Sequence, residues 1–508
     1  MRRGRRTRQK EQTSAAVQPG LAAGRYRPLT LSDEQQIHQT ILDVLENIGM
    51  GDPIPIVRER ALERGCFINE QGRLCFPRGL VEDIIAKAPK TAHLLGRDPK
   101  HDMEIGGTRV HNYGGGEAVN MLDVGASSYR PSTLLDMYDA ARMVDKMANI
   151  HAFARLVVAT EIEDQLACDI NSAYASVAGT LKHTQLTFSD ASHVQPTLDM
   201  LHMIAGGRDK FLERPFCNGG GCPVISPLRY GRDNSEVCVE SIKFGAPIWV
   251  TVAPQAGATA PAALAGAVVQ SVAEAIAGLL MIDVVEPGHP VVLGPWPFVS
   301  DLRSGAFTGG SGEEALVSAG AVQMVNFYGL PVSVGAGMTD SKTPDYQAGY
   351  EKALAITLAA QAGCNDVSEC SGMLGSLMAL SLESMVIDND LLGAVLRTVR
   401  GIEVNEQTLS YKVIEQVVHG EGHYLRADQT LELMRTEYEY PALANRLTPG
   451  EWEEAGSPDI RQLAGERVKS IMSSHYPEYI DPDIDAKIRE HFPILLATDD
   501  MRPGNGRW

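Results

Sequence analysis

Carboxylates, amides and aromatic rings recur in this sequence where short apolar runs give way to polar loops. The residues so placed are His111, Asn112 and Tyr113 with Glu117, then Glu161, Asp190, Asn218 and Gln255, then Trp296, Phe298, Asp301 and Arg303, and finally Asp340, Lys342 and Glu369. No Ser-His-Asp order, no HExxH and no Cys-His pair at an obvious elbow stands among them. Metal hydrolysis would want histidines at several run ends, and His111 alone is placed there, so no metal centre and no catalytic acid or base is assigned. What remains suits a cationic small molecule. A quaternary ammonium is held by the faces of Trp, Tyr or Phe with a carboxylate nearby, because a methyl-clad cation donates no conventional hydrogen bond. Tyr113, Trp249, Trp296, Phe298 and Tyr346 can offer such faces. Trp249 lies inside an apolar run and reads as core; Trp296 and Phe298, flanking Pro297, stand between core and ligand roles. For Asp340 and Glu369, a solvated or helix-capping role competes with ligand contact.

These residues need elements to hold them, and the stretch Gly329 to Tyr350, GLPVSVGAGMTDSKTPDYQAGY, shows the unit. Pro331 to Val334 reads as a short buried strand, Gly335 and Gly337 as a tight corner, Thr339 to Lys342 as a polar loop, and Pro344 as a helix opener. The same unit recurs from about residue 108. Candidate strands are Arg109 to Tyr113, Ala152 to Thr160, Gln185 to Ser189, Pro215 to Gly219, Pro247 to Val252, Pro290 to Leu293, Pro331 to Val334 and Asn365 to Ser368. Helical patterns begin near Ser132, Asp164, Val194, Asn234, Pro261, Gly312, Pro344 and Leu382, so each strand has a crossover long enough to return parallel. The expectation is an α/β fold, a TIM (β/α)8 barrel over residues 108–404, with function at the carboxyl ends of the strands. A doubly wound open sheet is the alternative, but it wants a phosphate-binding turn, and no GxGxxG opening a helix and no GxxxxGK[ST] occurs.

Residues 29–107 read as an N-terminal helical cap: a helix from Thr30 to Ile48 with Ser32 and Gln35 in capping-box positions, short helices around Ile56 to Leu62 and Leu80 to Ala86, and the hairpin-like CFINEQGRLCF. Residues 405–508 read as a helical extension packed on the barrel, with Arg426 and Asp428 in a loop that can reach its mouth. Residues 1–28 read as a disordered basic tail and linker. The net charge of −19 on 508 residues argues against nucleic-acid partners. The arginines near the N-terminus are followed by no apolar stretch, so no secretory signal is expected and the protein is expected in the cytoplasm. The eight cysteines show no disulfide framework, and Cys217 and Cys222 read as buried thiols. Ala260 to Val285, the most apolar segment, is interrupted by Gln270, Ser271, Glu274 and Asp283 and reads as a helix buried against a sheet, not as a membrane span.

Four long blocks carry a family resemblance: GLPVSVGAGMTDSKTPDYQAGYEKAL from Gly329, PFVSDLRSGAFTGGSGEEAL from Pro297, GEGHYLRADQTLELMRTEYEYPAL from Gly420 and HNYGGGEAVNMLD from His111. With them the chain resembles the trimethylamine:corrinoid methyltransferase superfamily, in the branch without pyrrolysine that includes glycine betaine methyltransferase. The resemblance implies a TIM barrel, a methylated amine in its mouth, and a separate corrinoid protein whose cobalamin, as cobalt(I), takes the methyl group. It also suggests a homo-oligomer. Trimethylamine enzymes of the family carry pyrrolysine, which should fall near the Val334 to Met338 corner; ordinary residues stand there. That favours a quaternary amine, glycine betaine first, with carnitine, proline betaine and butyrobetaine as variants. The expected substrate-binding set is His111, Tyr113, Trp296, Phe298, Arg303, Asp340 and Glu369, with Arg303 the first choice to grip a betaine carboxylate and a salt bridge to Asp301 or Glu313 its competing role. A betaine-binding barrel without catalysis, or a different methyl acceptor such as a folate, would keep the same cage.

Overall fold

The computed structural model describes residues 16–508 and is a mixed α/β protein. The basic segment Met1 to Lys10 lies outside the described residues. A strand stands at or beside each expected run, most of them shorter, with Thr184–Gln185 starting one residue early and Val291–Pro295 running two residues further: Arg109–Asn112, Phe153–Ala154, Thr184–Gln185, Cys217–Asn218 continued by Gly220–Gly221, Ile248–Val252, Val291–Pro295, Ser333–Gly335 and Asp366–Ser368. They pair in parallel as three ladders. Phe153–Ala154, Thr184–Gln185 and Cys217–Asn218 form one. Gly220–Gly221, Ile248–Val252 and Val291–Pro295 form the second, and Ser333–Gly335, Asp366–Ser368 and Arg109–Asn112 the third. Single parallel bridges, Tyr113 to Ala152 and Leu293 to Val332, link the third ladder to the other two. The strands are almost wholly buried, as expected of parallel strands covered on both faces.

Helices follow each strand: Leu134–Asp145, Gln165–Gly179, Val194–Ala205, Arg232–Glu240, Leu264–Val285, Gly312–Phe327, Tyr346–Ala362 and Leu382–Arg400. Their starts follow side-chain caps. Thr133, Asp164, Ser311, Asp345 and Ser381 each accept a backbone N–H of the first turn. Asp345 rather than Pro344 therefore starts the Tyr346 helix. The Leu264–Val285 helix is long and apolar enough to cross a bilayer, yet it is largely buried here, packed on Val291–Pro295, Ile248–Val252 and the neighbouring helices.

Within residues 31–106, the helices Leu31–Asp43 and Pro55–Glu63 pack against Leu264–Val285. The first helix runs Leu31–Asp43 and extends through a π turn to Ile48; its capping box is Thr30 with Asp33, two residues earlier than Ser32 and Gln35. Phe67–Ile68 and Leu74–Cys75 make the expected hairpin. A second hairpin, Thr91–Leu94 with Met103–Gly106, carries no strong sequence signal, yet Ala92, Leu94, Met103 and Ile105 close a buried cluster with Tyr113, Ala152, Trp249 and Val292. It is the floor of the strand assembly. The segment read as a linker also pairs: Leu21 and Ala22 add antiparallel to Val110 and Arg109. Beyond residue 400 two regimes appear. Ile460–Ser474 packs on Leu382–Arg400 and Leu134–Asp145, with Arg142 buried and donating to the Met472 and His475 carbonyls. Tyr411–Val418 and Asp428–Leu433 bury none of their residues.

Candidate active site

The carboxyl ends of the strands surround a cavity of about 270 Å³. Its aromatic wall comes from alternation along two strands. In Ile248–Val252, Trp249 and Thr251 point the same way, and both line the cavity, as does Trp296, one residue beyond Val291–Pro295. Trp249 therefore serves the site and the core at once: its ring lies 5.9 Å from that of Tyr113 on the floor, and its indole N–H donates to Asp366 Oδ2 at 2.8 Å. Trp296 and Phe298 stand with ring centroids 6.2 Å apart, and Trp296 Nε1 is buried without a partner among the described residues.

The acidic side is built by a strained turn. Asp366 and Ser368 share one strand face, so Glu369 would face away from them by simple alternation. Its φ of 63° turns it back to the cavity, a conformation costly for a side chain with a Cβ and characteristic of functional sites. Glu117 and Leu377 also line the cavity with positive φ, of 47° and 70°. Glu369 is 2 % exposed and its Oε2 has no partner among the described residues. Burial, then the carboxylates of Glu314, Asp366 and Glu117, push its carboxyl up to about 8. Behind it Glu314, also pushed up to about 8 by burial, accepts Ser318 Oγ at 2.9 Å. Asp366, raised to about 6 by burial, accepts Ser368 Oγ at 2.8 Å as well as the Trp249 indole. Neutral at the pH of most cells, Glu369 can ionise when a cation enters beside it.

Glycines make the room. A Cβ at Gly335 would lie 2.9 Å from both Glu369 Oε2 and the Trp296 ring, so this corner is open only because it has no side chain. Opposite stand Arg155, Gln185 and Thr187. Arg155 follows directly on Phe153–Ala154, within a run that reads in sequence as continuous strand. Its Nε is buried without a partner among the described residues.

Of the seven expected site residues, the structure brings Trp296, Phe298 and Glu369 together at the cavity. Tyr113 lies beneath it, fully buried in the floor. His111 is turned elsewhere: its ring meets the Asn365 carbonyl and Gly20, just before the N-terminal strand, and burial lowers it to about 4, leaving it neutral. Asp340 accepts Gly309 N–H at 2.8 Å and the Ser376 hydroxyl, tying loops together outside the cavity. Arg303 extends into solvent with its side chain 91 % exposed and forks onto Asp301, the competing role foreseen for it. Arg426 is exposed beside Glu421 and does not line the cavity. Cys217 is buried as expected, but Cys222 opens onto the cavity mouth. The neighbouring protein and the carboxylates of Glu117 and Glu369 raise the Cys222 thiol. Among the described residues no cluster of three or more His, Cys, Asp or Glu could hold a metal ion.

The sequence model of the trimethylamine methyltransferase (MTTB) family matches residues 1–493. The chain belongs to that family. It is 32 % identical over 472 residues to the trimethylamine methyltransferase MttB of Desulfitobacterium hafniense strain DCB-2, covering 92 % of this chain and 94 % of that protein. It is 28 % identical over 465 residues to the glycine betaine methyltransferase of Desulfitobacterium hafniense strain Y51, covering 92 % and 96 %. These relatives are methyltransferases, and this member of their family is an enzyme. Among solved structures, a dihydropteroate synthase from Coxiella burnetii matches 60 % of this chain and 99 % of its own, with 13 % identity and a TM-score of 0.33, too low to argue from.

Proposed function

We propose that the three parallel ladders are arcs of one (β/α)8 barrel, and that this barrel moves a methyl group from a quaternary amine, glycine betaine first, to a corrinoid carried by a separate protein. The barrel reading is supported by the neighbour relations: with the two single bridges and the continuity through Gly219, each of the eight strands has a parallel partner on both sides.

The observation that carries the substrate class is the pairing of indole rings with a buried, unpartnered carboxylate around a space left open at Gly335. Trp296 and Trp249 offer faces to a methyl-clad cation, and Glu369 offers countercharge without requiring a hydrogen donor from the ligand. The cavity lies at the carboxyl ends of the strands, the side from which a corrinoid protein would approach. When docked there, the corrinoid supplies cobalt(I) as the nucleophile for the methyl carbon. The chain itself strips water from the ammonium, holds one N-methyl toward the mouth and fixes the nitrogen, so positioning carries the rate. As the carbon–nitrogen bond breaks, its electron pair returns to nitrogen, and a quaternary amine leaves as a neutral tertiary amine. No proton is needed at that moment, which agrees with a cavity lacking a histidine. Trimethylamine would need protonation or other activation, and Gly335 to Met338 bring no reactive group for it.

The test is methyl transfer to a reduced corrinoid with glycine betaine, carnitine, proline betaine, butyrobetaine and trimethylamine as donors. Formation of the methylated corrinoid from a betaine is the expected result; no transfer from any of them under strongly reducing conditions would leave a binding barrel only.

A further inference from the structure

We infer that Arg155, with Gln185 and Thr187 beside it, forms an anion-reading end of the cavity, so that the molecule bound there carries a carboxylate as well as its quaternary nitrogen. This rests on the reading of the opposite wall as the ammonium site.

Arg155 keeps hydrogen-bond donors unused among the described residues. A guanidinium has five N–H donors in a rigid fork. Here Nη1 reaches only Thr187 Oγ1, at a long 3.4 Å, and Nε is buried with no partner among the described residues. The nearest carboxylate is Asp169, 3.7 Å from Nη1 and beyond hydrogen-bonding distance. Asp169 does not depend on it, because Asp169 Oδ2 already takes Ser189 N–H, Ser189 Oγ–H and His193 Nδ1, each at 2.8 Å. Asp169 thus balances the charge of Arg155 while leaving its donors unspent. Glu117, the other carboxylate on this side, accepts the Thr187 hydroxyl and forms no ion pair with Arg155 among the described residues. A guanidinium only 12 % exposed, with its Nε buried and unpartnered among the described residues, gives up hydration that something polar must replace, and the space it faces is the cavity.

The placement suits a zwitterion. Arg155 follows the second strand and Gln185 ends the third, whereas Trp296 and Phe298 follow the sixth, three to four places away round the proposed ring of eight; Glu369, after the eighth, lies between these two ends of the cavity. Bidentate capture of a carboxylate at Arg155 would fix where the far end of the molecule lies, and with it the direction of the N-methyl groups. Arg155 on this account is a specificity-determining and positioning residue. It reads the part of the substrate that does not react.

Calorimetric titration of the full chain with glycine betaine and with choline, which shares the trimethylammonium but lacks the carboxylate, tests this without any methyl acceptor. Wild-type protein is expected to prefer glycine betaine. In Arg155→Met the glycine betaine to choline affinity ratio should fall by at least about thirty-fold, with Arg155→Lys keeping part of the preference because it retains charge without the fork. A ratio changed by less than about three-fold in Arg155→Met overturns the assignment. So does equal loss of both ligands with a lowered melting temperature in both variants, which would make Arg155 a structural partner of Asp169. Wild-type protein that binds choline as tightly as glycine betaine overturns it even if no variant folds. Binding with the expected preference but no methyl transfer would refute the catalytic proposal and leave Arg155 standing.

Discussion

The loop at 301–305 and the wall at 154–187 each present an arginine near the carboxyl end of a parallel strand, and they treat it in opposite ways. Arg303 is met within two residues by Asp301, which takes both its Nε and its Nη2, and the pair stands in water. Arg155 is withdrawn from water, its side chain 12 % exposed, and given almost nothing to bond. The two acids differ likewise: Asp340 is consumed by Gly309 and Ser376, whereas Glu369 is buried with an idle oxygen. A charged group whose hydrogen bonds are met by the protein is spent on structure. One that is buried with unspent hydrogen-bonding capacity keeps that capacity for a ligand.

The sharpest way to break this contrast is to fill the space the idle groups face. Gly335→Leu should abolish measurable glycine betaine binding, a loss of at least about a hundred-fold, because even a Cβ there meets Glu369 and Trp296 at 2.9 Å. Titration calorimetry reads it, and binding within about three-fold of wild type would place the ligand elsewhere.

Next in size is Glu369→Gln, expected to weaken glycine betaine binding by about ten- to a hundred-fold. The pH dependence is the more telling readout. With Glu369 raised to about 8, cation binding must expel a proton at neutral pH, so affinity should climb from pH 6 to 8 and level off above, and the Gln variant should not climb. Calorimetry in buffers of different ionisation enthalpy counts that proton directly. The unliganded protein should show the reverse trend in stability. Between the unfolded value near 4.5 and the folded value near 8 the native state holds the proton and the unfolded state does not, so stability falls as pH rises; Glu314, raised to about 8 as well, adds the same trend, so Glu369→Gln should reduce the slope without abolishing it. A melting temperature insensitive to pH in this window in the wild type would sink the assignment of a buried neutral acid.

The smallest effect belongs to the other side of the comparison. Arg303→Ala should leave glycine betaine affinity within about two-fold, since its guanidinium is already satisfied by Asp301 outside the cavity. A larger drop would show that the 301–305 loop folds over the mouth when ligand binds.

The order of the elements was legible because each signal is local. Apolar runs ending in glycine or polar residues mark strands, and caps such as Asp164 and Ser381 mark helix starts. Cavity-lining residues were legible where they follow strand ends that sequence places well: Trp296, Phe298 and Glu369. Arg155 was hidden because the apolar run around it continues to Val158 while the strand stops at Ala154, so a residue at a strand end looked like one in mid-strand. Trp249 was read as core because a run buried on both faces does not reveal which face looks into the cavity.

By itself, then, the sequence determined the succession of strands and helices, the supply of aromatic rings and carboxylates, and the family, all of which depend on residue type and short-range order. Only the tertiary structure decided which charges are free. Whether an arginine or a carboxylate keeps its hydrogen-bonding capacity depends on what stands within about 3 Å of it, and those neighbours come from other parts of the chain. Asp301 lies two residues from Arg303 and settles its fate locally. Glu369, Gly335 and Trp296 meet only because three strands, distant in sequence, end at the same place.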